Sequence, residues 1–311
     1  MNAQKKIRAT TIFFYLWSII ALFTFTKKIF SPNGQEIISP VPDIMVLAQH
    51  APKTISRFSG LERLIAQNLE SAPGTYGIVV KKLDTAETVA INDHIPFETA
   101  SLYKLWVMGE VYRQVEKGTL TEDEVLSKSI PALNAAFGLS ADVAEQTSGS
   151  ISLSVKNALT QMITISHNYA ALLLSAKIRM ASVTSFLKDF NLTESKVGTS
   201  EANPKTTAAD VAKFYELLYS GKLANSKHTA DMFEMLKAQK INRKMPKYLP
   251  TGTVLAHKTG ELGTYSHDAG ILYTPKGDYI IVILSDYGIP ADSEEFISKI
   301  TKSIYDFLIE S

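Results

Sequence analysis

The chain of 311 residues contains no cysteine. That absence excludes a disulfide framework, a cysteine-ligated zinc or iron–sulfur site, and thiol catalysis. An excess of either charge is also missing, because 32 basic side chains stand against 31 acidic ones. A net charge of +1 gives no broad field for phosphates and argues against nucleic acid as a partner. None of the six histidines forms a spaced ligand cluster, so no metal site is expected. His257, beside Lys258, reads as a strand residue rather than a base. Internal repeats are absent, and a hydrophobic content of 45% rules out disorder. It supplies a sizeable core for one large domain or two modest ones.

One long apolar run is present. Ala9 to Thr26 carries no charge and is rich in Phe, Ile and Leu. As a helix it spans roughly 27 Å, enough for a bilayer core. Lys5, Lys6 and Arg8 precede it and Lys27 and Lys28 follow, which favours the start of the chain inside and the bulk outside. Residues 1–28 are therefore expected to be a signal anchor, single-pass, with the remainder extracytoplasmic. A cleaved signal peptide releasing a secreted protein is the alternative. Residues 29–54 read as a spacer, broken by Pro32, Pro40, Pro42 and Pro52.

Residues 55–311 read as one mixed domain. Apolar spacing predicts a first helix over Ile55–Leu69. A hairpin follows, with strands at Tyr76–Val80 and Thr88–Ile91. Helical patterns then run over Ser101–Lys117, Val155–Ile163, Asn168–Met180, Val183–Phe190 and Thr207–Tyr219. Strands return at Val254–His257, Ala269–Tyr273 and Tyr279–Leu284 before an amphipathic helix over Ser293–Leu308. Strands at both ends of the domain predict an antiparallel sheet completed by both termini, beside a helical lobe. The cleft between them is the expected place for a site.

Three short motifs carry chemistry. Ser101-Leu102-Tyr103-Lys104 opens a helix, and residues three apart share a helix face. A neutral amine beside a hydroxyl can take its proton, and burial or a nearby cation lowers a lysine pKa far enough. Ser166-His167-Asn168 lies between two helical segments, where a serine capping the next helix is the plain alternative. Lys258-Thr259-Gly260 is followed by Glu261. Strand alternation aims Lys258 and Gly260 at one face, and Gly260 lets a ligand approach the backbone. Each motif alone is ordinary, and Ser-x-x-Lys recurs at Ser185–Lys188 on what reads as a solvated helix face.

The ordered set is specific. With 65 residues from Ser101 to Ser166 and 92 from Ser166 to Lys258, the sequence resembles the class A β-lactamases and their penicillin-binding relatives over residues 55–311. The resemblance implies an α/β (α+β) fold with a five-stranded antiparallel sheet, flanking helices and a helical lobe. It implies Ser101 as acylated nucleophile, Lys104 as its proton partner, and Ser166 as relay to the leaving nitrogen. Asn168 would bind the substrate's amide side chain, and Lys258 and Thr259 its carboxylate. Lys258 would also help to keep the Lys104 amine neutral, and the N–H groups of Ser101 and Glu261 would form the oxyanion hole. No cofactor is implied, and the partner is a small β-lactam or a peptidoglycan peptide.

Three departures bear on activity. His167 stands where class A enzymes usually carry aspartate, and His267-Asp268-Ala269-Gly270 lacks the basic residue often found on the strand after Lys-Thr-Gly. No Glu-x-x-Leu-Asn pattern stands between Asn191 and Thr207, in a segment shorter than is usual for the family. Glu201 is the candidate base for deacylation, with Glu194 behind it. The expected activity is β-lactam hydrolysis of class A type. The alternatives are a D,D-peptidase acting on cell-wall stem peptides and a slowly deacylating β-lactam-binding module.

Overall fold

The computed structural model describes residues 57–199 and 202–310. The expected anchor (1–28), the spacer (29–54) and Glu201 lie outside the described residues. Helix α1 (Arg57–Glu70) precedes the hairpin β1 (Thr75–Lys82) and β2 (Thr88–Ile91). A two-residue strand, β3 (Phe97–Glu98), leads through a 3-10 turn at Ala100–Leu102 into α2 (Tyr103–Glu116). The lobe continues with β4 (Val125–Ser129), α3 (Ile130–Ala136), β5 (Ser150–Ser154) and α4 (Val155–Thr164). Then come α5 (Asn168–Ile178), α6 (Met180–Asp189), β6 (Lys205–Thr206), α7 (Ala208–Tyr219) and α8 (Ser226–Lys237). Strands β7 (Val254–Leu262), β8 (Tyr265–Thr274) and β9 (Gly277–Asp286) and helix α9 (Pro290–Glu310) complete the fold.

The main sheet is antiparallel in the order β2-β1-β9-β8-β7, so both ends of the domain build it, as expected. Strand β9 lies at its centre and is apolar at every position from Tyr279 to Leu284 because both faces are covered. Tyr279, Ile281 and Ile283 pack with Leu61 and Ile65 of α1 and Ile297, Ile300 and Ile304 of α9. Ile280, Val282 and Leu284 face the helical lobe, among Trp106, Phe214 and Tyr215. A strand side-chain period of two divides the two cores.

Three readings from periodicity are corrected. The helix expected over Asn168–Met180 ends at Ile178, because Arg179 adopts a φ of 69° and breaks the ladder before α6. The helix expected from Ser101 begins instead as a 3-10 turn, with α2 proper starting at Tyr103. The strand expected over Val254–His257 runs on to Leu262 and carries Lys258-Thr259-Gly260 within it.

Strand β8 approaches β7 closely at Gly270, where an added Cβ would stand 2.4 Å from Ala256 O and 2.6 Å from His257 Cβ. The backbone of a paired strand cannot yield cheaply. Gly270→Ala is therefore expected to cost about 1–3 kcal/mol of unfolding free energy. At Gly288 an added Cβ meets no heavy atom within 4 Å, so Gly288→Ala should change stability by less than about 0.5 kcal/mol. Denaturant titration of both variants checks this, and equal stability would contradict the packing described.

Candidate active site

Ser101 sits in the 3-10 turn at the mouth of α2, half-buried, on the wall of a cleft of about 460 Å³. Tyr103, Glu145, Asn168, Pro204 and Glu261 share that cleft. The turn is held from two sides. Thr99 N–H donates to Pro204 O at 2.8 Å, and β3 pairs with β6 through Phe97↔Thr206. Buried His267 donates from Nε2 to Glu98 O at 2.7 Å and accepts the Ser285 N–H on Nδ1 at 3.1 Å. Burial lowers the His267 pKa to about 4, so the ring is neutral at pH 7 and works as a backbone clamp.

Gly260 lies where β7 meets this turn. A Cβ there would stand 3.1 Å from Thr99 O and 3.2 Å from the Ala100 side chain. Its missing side chain thus makes room for the 3-10 turn that carries Ser101. Ala100 has a φ of 45° and Ser166 a φ of 57°, so two non-glycine residues hold left-handed conformations at one site.

Lys104 is fully buried, and its amine donates to Ser166 O at 2.6 Å, Ser166 Oγ at 3.0 Å and Asn168 Oδ1 at 2.6 Å. Lys258, equally buried, reaches the same Ser166 Oγ from 3.0 Å and also bonds Thr259 O at 2.8 Å. One hydroxyl therefore bridges two amines. Burial pulls the Lys104 pKa down to about 7, against the pull of the Glu145 carboxylate. Burial also sets Lys258 well below its ordinary value, and the charges of Lys104 and Lys244 add to that effect. The Ser101 hydroxyl makes no hydrogen bond to another described residue, so the structure joins Lys104 to the second motif more tightly than to the serine three residues before it.

The cap of α5 is not Ser166. His167 fills that role, its Nδ1 accepting the Ala170 N–H at 3.1 Å, which leaves Ser166 for the two lysines. Glu194 is bound to His94 at 2.9 Å and to Thr207 at 2.7 Å. His257 is buried against Asp268 at 2.8 Å, in the structural place expected of it. The Ser185–Lys188 pair is exposed on α6.

Two contributors carried no motif. Glu145, in the loop between α3 and β5, accepts a hydrogen bond from Asn168 Nδ2. Lys244 lies after α8, its amine fully buried and bonded to Gly260 O at 3.0 Å, His267 O at 3.1 Å and Glu261 at 3.0 Å. A loop acid and an Arg243-Lys244 dipeptide read as ordinary surface until the fold brings them to β7 and Asn168.

A family model described as the beta-lactamase enzyme family matches residues 60–308. The chain belongs to that family. It is 24% identical over 278 residues to a β-lactamase of Bacteroides uniformis, covering 80% of this chain and 92% of that one. Among solved structures, a β-lactamase from Sphaerobacter thermophilus superposes with a TM-score of 0.70 at 24% identity, covering 81% of this chain and 97% of that one. PBP-A, in an acyl-enzyme complex with penicillin G, gives 0.70 at 19% identity, with the same coverage of each chain. The enzyme is a serine β-lactamase-like hydrolase, and these structures share its fold.

The Lys104 pKa gives a pH signature. Below about pH 7 its ammonium commits three protons to Ser166 and Asn168, and above it a lone pair is free to accept one. The rate at which a penicillin acylates the enzyme should therefore rise with pH through an apparent pKa of about 7. Glu145→Gln removes a charge that favours the ammonium form, so the rising limb should move to lower pH. Rapid-mixing acylation rates measured from about pH 5 to 9 decide this. A flat profile, or a limb displaced upward in the variant, would contradict Lys104 as proton acceptor.

Proposed function

We propose that the enzyme hydrolyses β-lactams through an acyl-enzyme at Ser101, in the class A manner. The observation that carries this reading is the convergence of the Lys104 and Lys258 amines on Ser166 Oγ, beside the cleft that holds Ser101. Neutral Lys104 takes the Ser101 proton as Oγ attacks the lactam carbonyl. The N–H groups of Ser101 and Glu261 receive the developing oxyanion, with β7 at the free edge of the sheet. As the C–N bond breaks, Ser166 gives its proton to the ring nitrogen and recovers one from Lys104. Lys258 holds the Ser166 hydroxyl in place and, with Thr259, meets the substrate carboxylate.

Asn168 is pre-oriented for its part. Its Oδ1 is held by Lys104, and one Nδ2 proton goes to Glu145. The second Nδ2 proton is then available to a carbonyl on the substrate's amide side chain. Water attacks the ester in the second half of the cycle, with Glu201 as the proposed base. The charge-free run at Ala9–Thr26 supports a membrane-anchored enzyme with its catalytic domain outside, or a secreted one after signal cleavage.

A second reading, a D,D-peptidase that β-lactams block, is favoured by the missing Glu-x-x-Leu-Asn pattern and by His167, which is spent on capping α5. Intact-protein mass after mixing the full chain with benzylpenicillin separates the two. The β-lactamase reading expects one adduct that appears and vanishes while hydrolysed drug accumulates. A persistent adduct would favour the peptidase or a binding module. Ser101→Ala should give no adduct at all, and full activity in that variant would sink the whole assignment. Glu201→Gln should leave the adduct standing at least about 100-fold longer, as expected on losing a general base.

A further inference from the structure

Penicillins and the ends of peptidoglycan stem peptides both carry a carboxylate, yet the charged side chains lining the cleft among the described residues are Glu145 and Glu261, both acidic. The cations nearest to Glu261 are already in use. Lys244 is fixed under β7 by Gly260 O and His267 O, and it also bonds Glu261 Oε1 at 3.0 Å. Arg243 is anchored through Nε to both carboxylate oxygens of Glu294, at 2.7 and 2.8 Å, and its terminal nitrogen donates to Glu261. Both cations thus hold their positions through bonds that do not involve Glu261. Glu261, between them, lines the cleft with a side chain that is 36% exposed.

Such a pair, preset by outside anchors and filled by one acid, is a carboxylate site with an internal occupant. Glu261 also shares a strand face with Thr259, two residues away. Desolvation works against its charge, but Lys244 and Arg243 outweigh it and hold the carboxyl below the usual range, so it is ionised at neutral pH. An arriving anion meets a filled site and a like charge.

We propose that Glu261 is a built-in competitor for the substrate carboxylate, and that an anionic substrate gains the Arg243–Lys244 pair only by displacing it. This rests on acylation of Ser101 as argued above. It makes Glu261 a specificity-determining residue that disfavours substrates with a carboxylate at that end of the cleft relative to neutral ones. The effect falls on binding, so it appears in KM rather than in kcat.

The test pairs benzylpenicillin with its neutral methyl ester. In Glu261→Gln, the ratio of KM for the acid to KM for the ester should fall about fivefold or more, the ester reporting any change in the oxyanion hole that both compounds share. In the Glu261→Gln, Arg243→Ala double variant the gain should shrink, since one of the two vacated partners is then missing and Lys244 remains. Thermal melting verifies folding, and Glu261→Ser replaces the Gln variant if that one melts early. An unchanged acid-to-ester KM ratio, or a fall in that ratio that is just as large without Arg243, would each overturn the proposal. Wild-type enzyme that forms no Ser101 adduct with either compound would remove the acylation reading, and this proposal with it. A wild-type adduct with an unresponsive Glu261 would sink this proposal alone.

Discussion

Lys104 and Lys258 share one hydroxyl, and Lys244 lies close enough to depress Lys258 further. Three amines taken out of water within one site repel one another and lose hydration, so the protonated form of each is disfavoured. The sign of the stability effect follows for Lys104, whose folded pKa is about 7 against an ordinary lysine value of 10.5. The folded state holds fewer protons than the unfolded state between those values. The penalty is complete below about pH 7 and fades as pH rises toward 10.5. Burial that makes an amine into a base at neutral pH therefore costs stability at that same pH. The cores on the two faces of the sheet supply the offset.

That arrangement exists because a helix start is pressed against a sheet edge. The 3-10 turn carrying Ser101 meets β7 at Gly260, and neutral His267 pins the strand before it. Pro204 accepts the Thr99 N–H from the other side. The turn is thereby fixed by three separate chain segments, which sustains the left-handed Ala100 next to Ser101. A larger residue at Gly260 would move Ser101 relative to Ser166, so the two outer motifs of the sequence are mechanically one feature.

Much of this was legible in the sequence, and the reason is periodicity. Helices α2, α4 and α7 and strands β1, β2 and β9 bury regular stripes or runs, so their types could be read, if not every boundary. Ser101, Lys104, Ser166, Asn168 and Lys258 stood out because a fixed order of three motifs is rare by chance. Strands β3 and β6 were not legible, since two residues show no period and Phe97 finds its partner at Thr206. The same holds for β4 and β5, whose pairing encloses α3 and a loop. Glu145, Arg243 and Lys244 come from connections where charge is expected at the surface. Only the fold shows that Lys244 is buried and that Glu145 grips Asn168.

The departures from the family pattern then acquire a common sense. His167 is spent on the first turn of α5, and His267 on the carbonyl before the turn that carries Ser101. Because His267 is neutral, it brings no positive charge to the strand position where a basic residue often stands. Positive charge must come from Lys258, whose amine already serves Ser166 and Thr259 O, or from Lys244 and Arg243. The last two are neutralised by Glu261, so the cleft presents acids on its wall and cations behind them. In a site built this way the hydrogen bonds of the Lys104–Ser166–Lys258 chain do not include Glu261, whose charge reaches Lys258 only through space. What the site gives up is strong ground-state attraction for anions. On the proposed reading, selectivity among acyl donors is then set by a side chain outside that hydrogen-bonded chain.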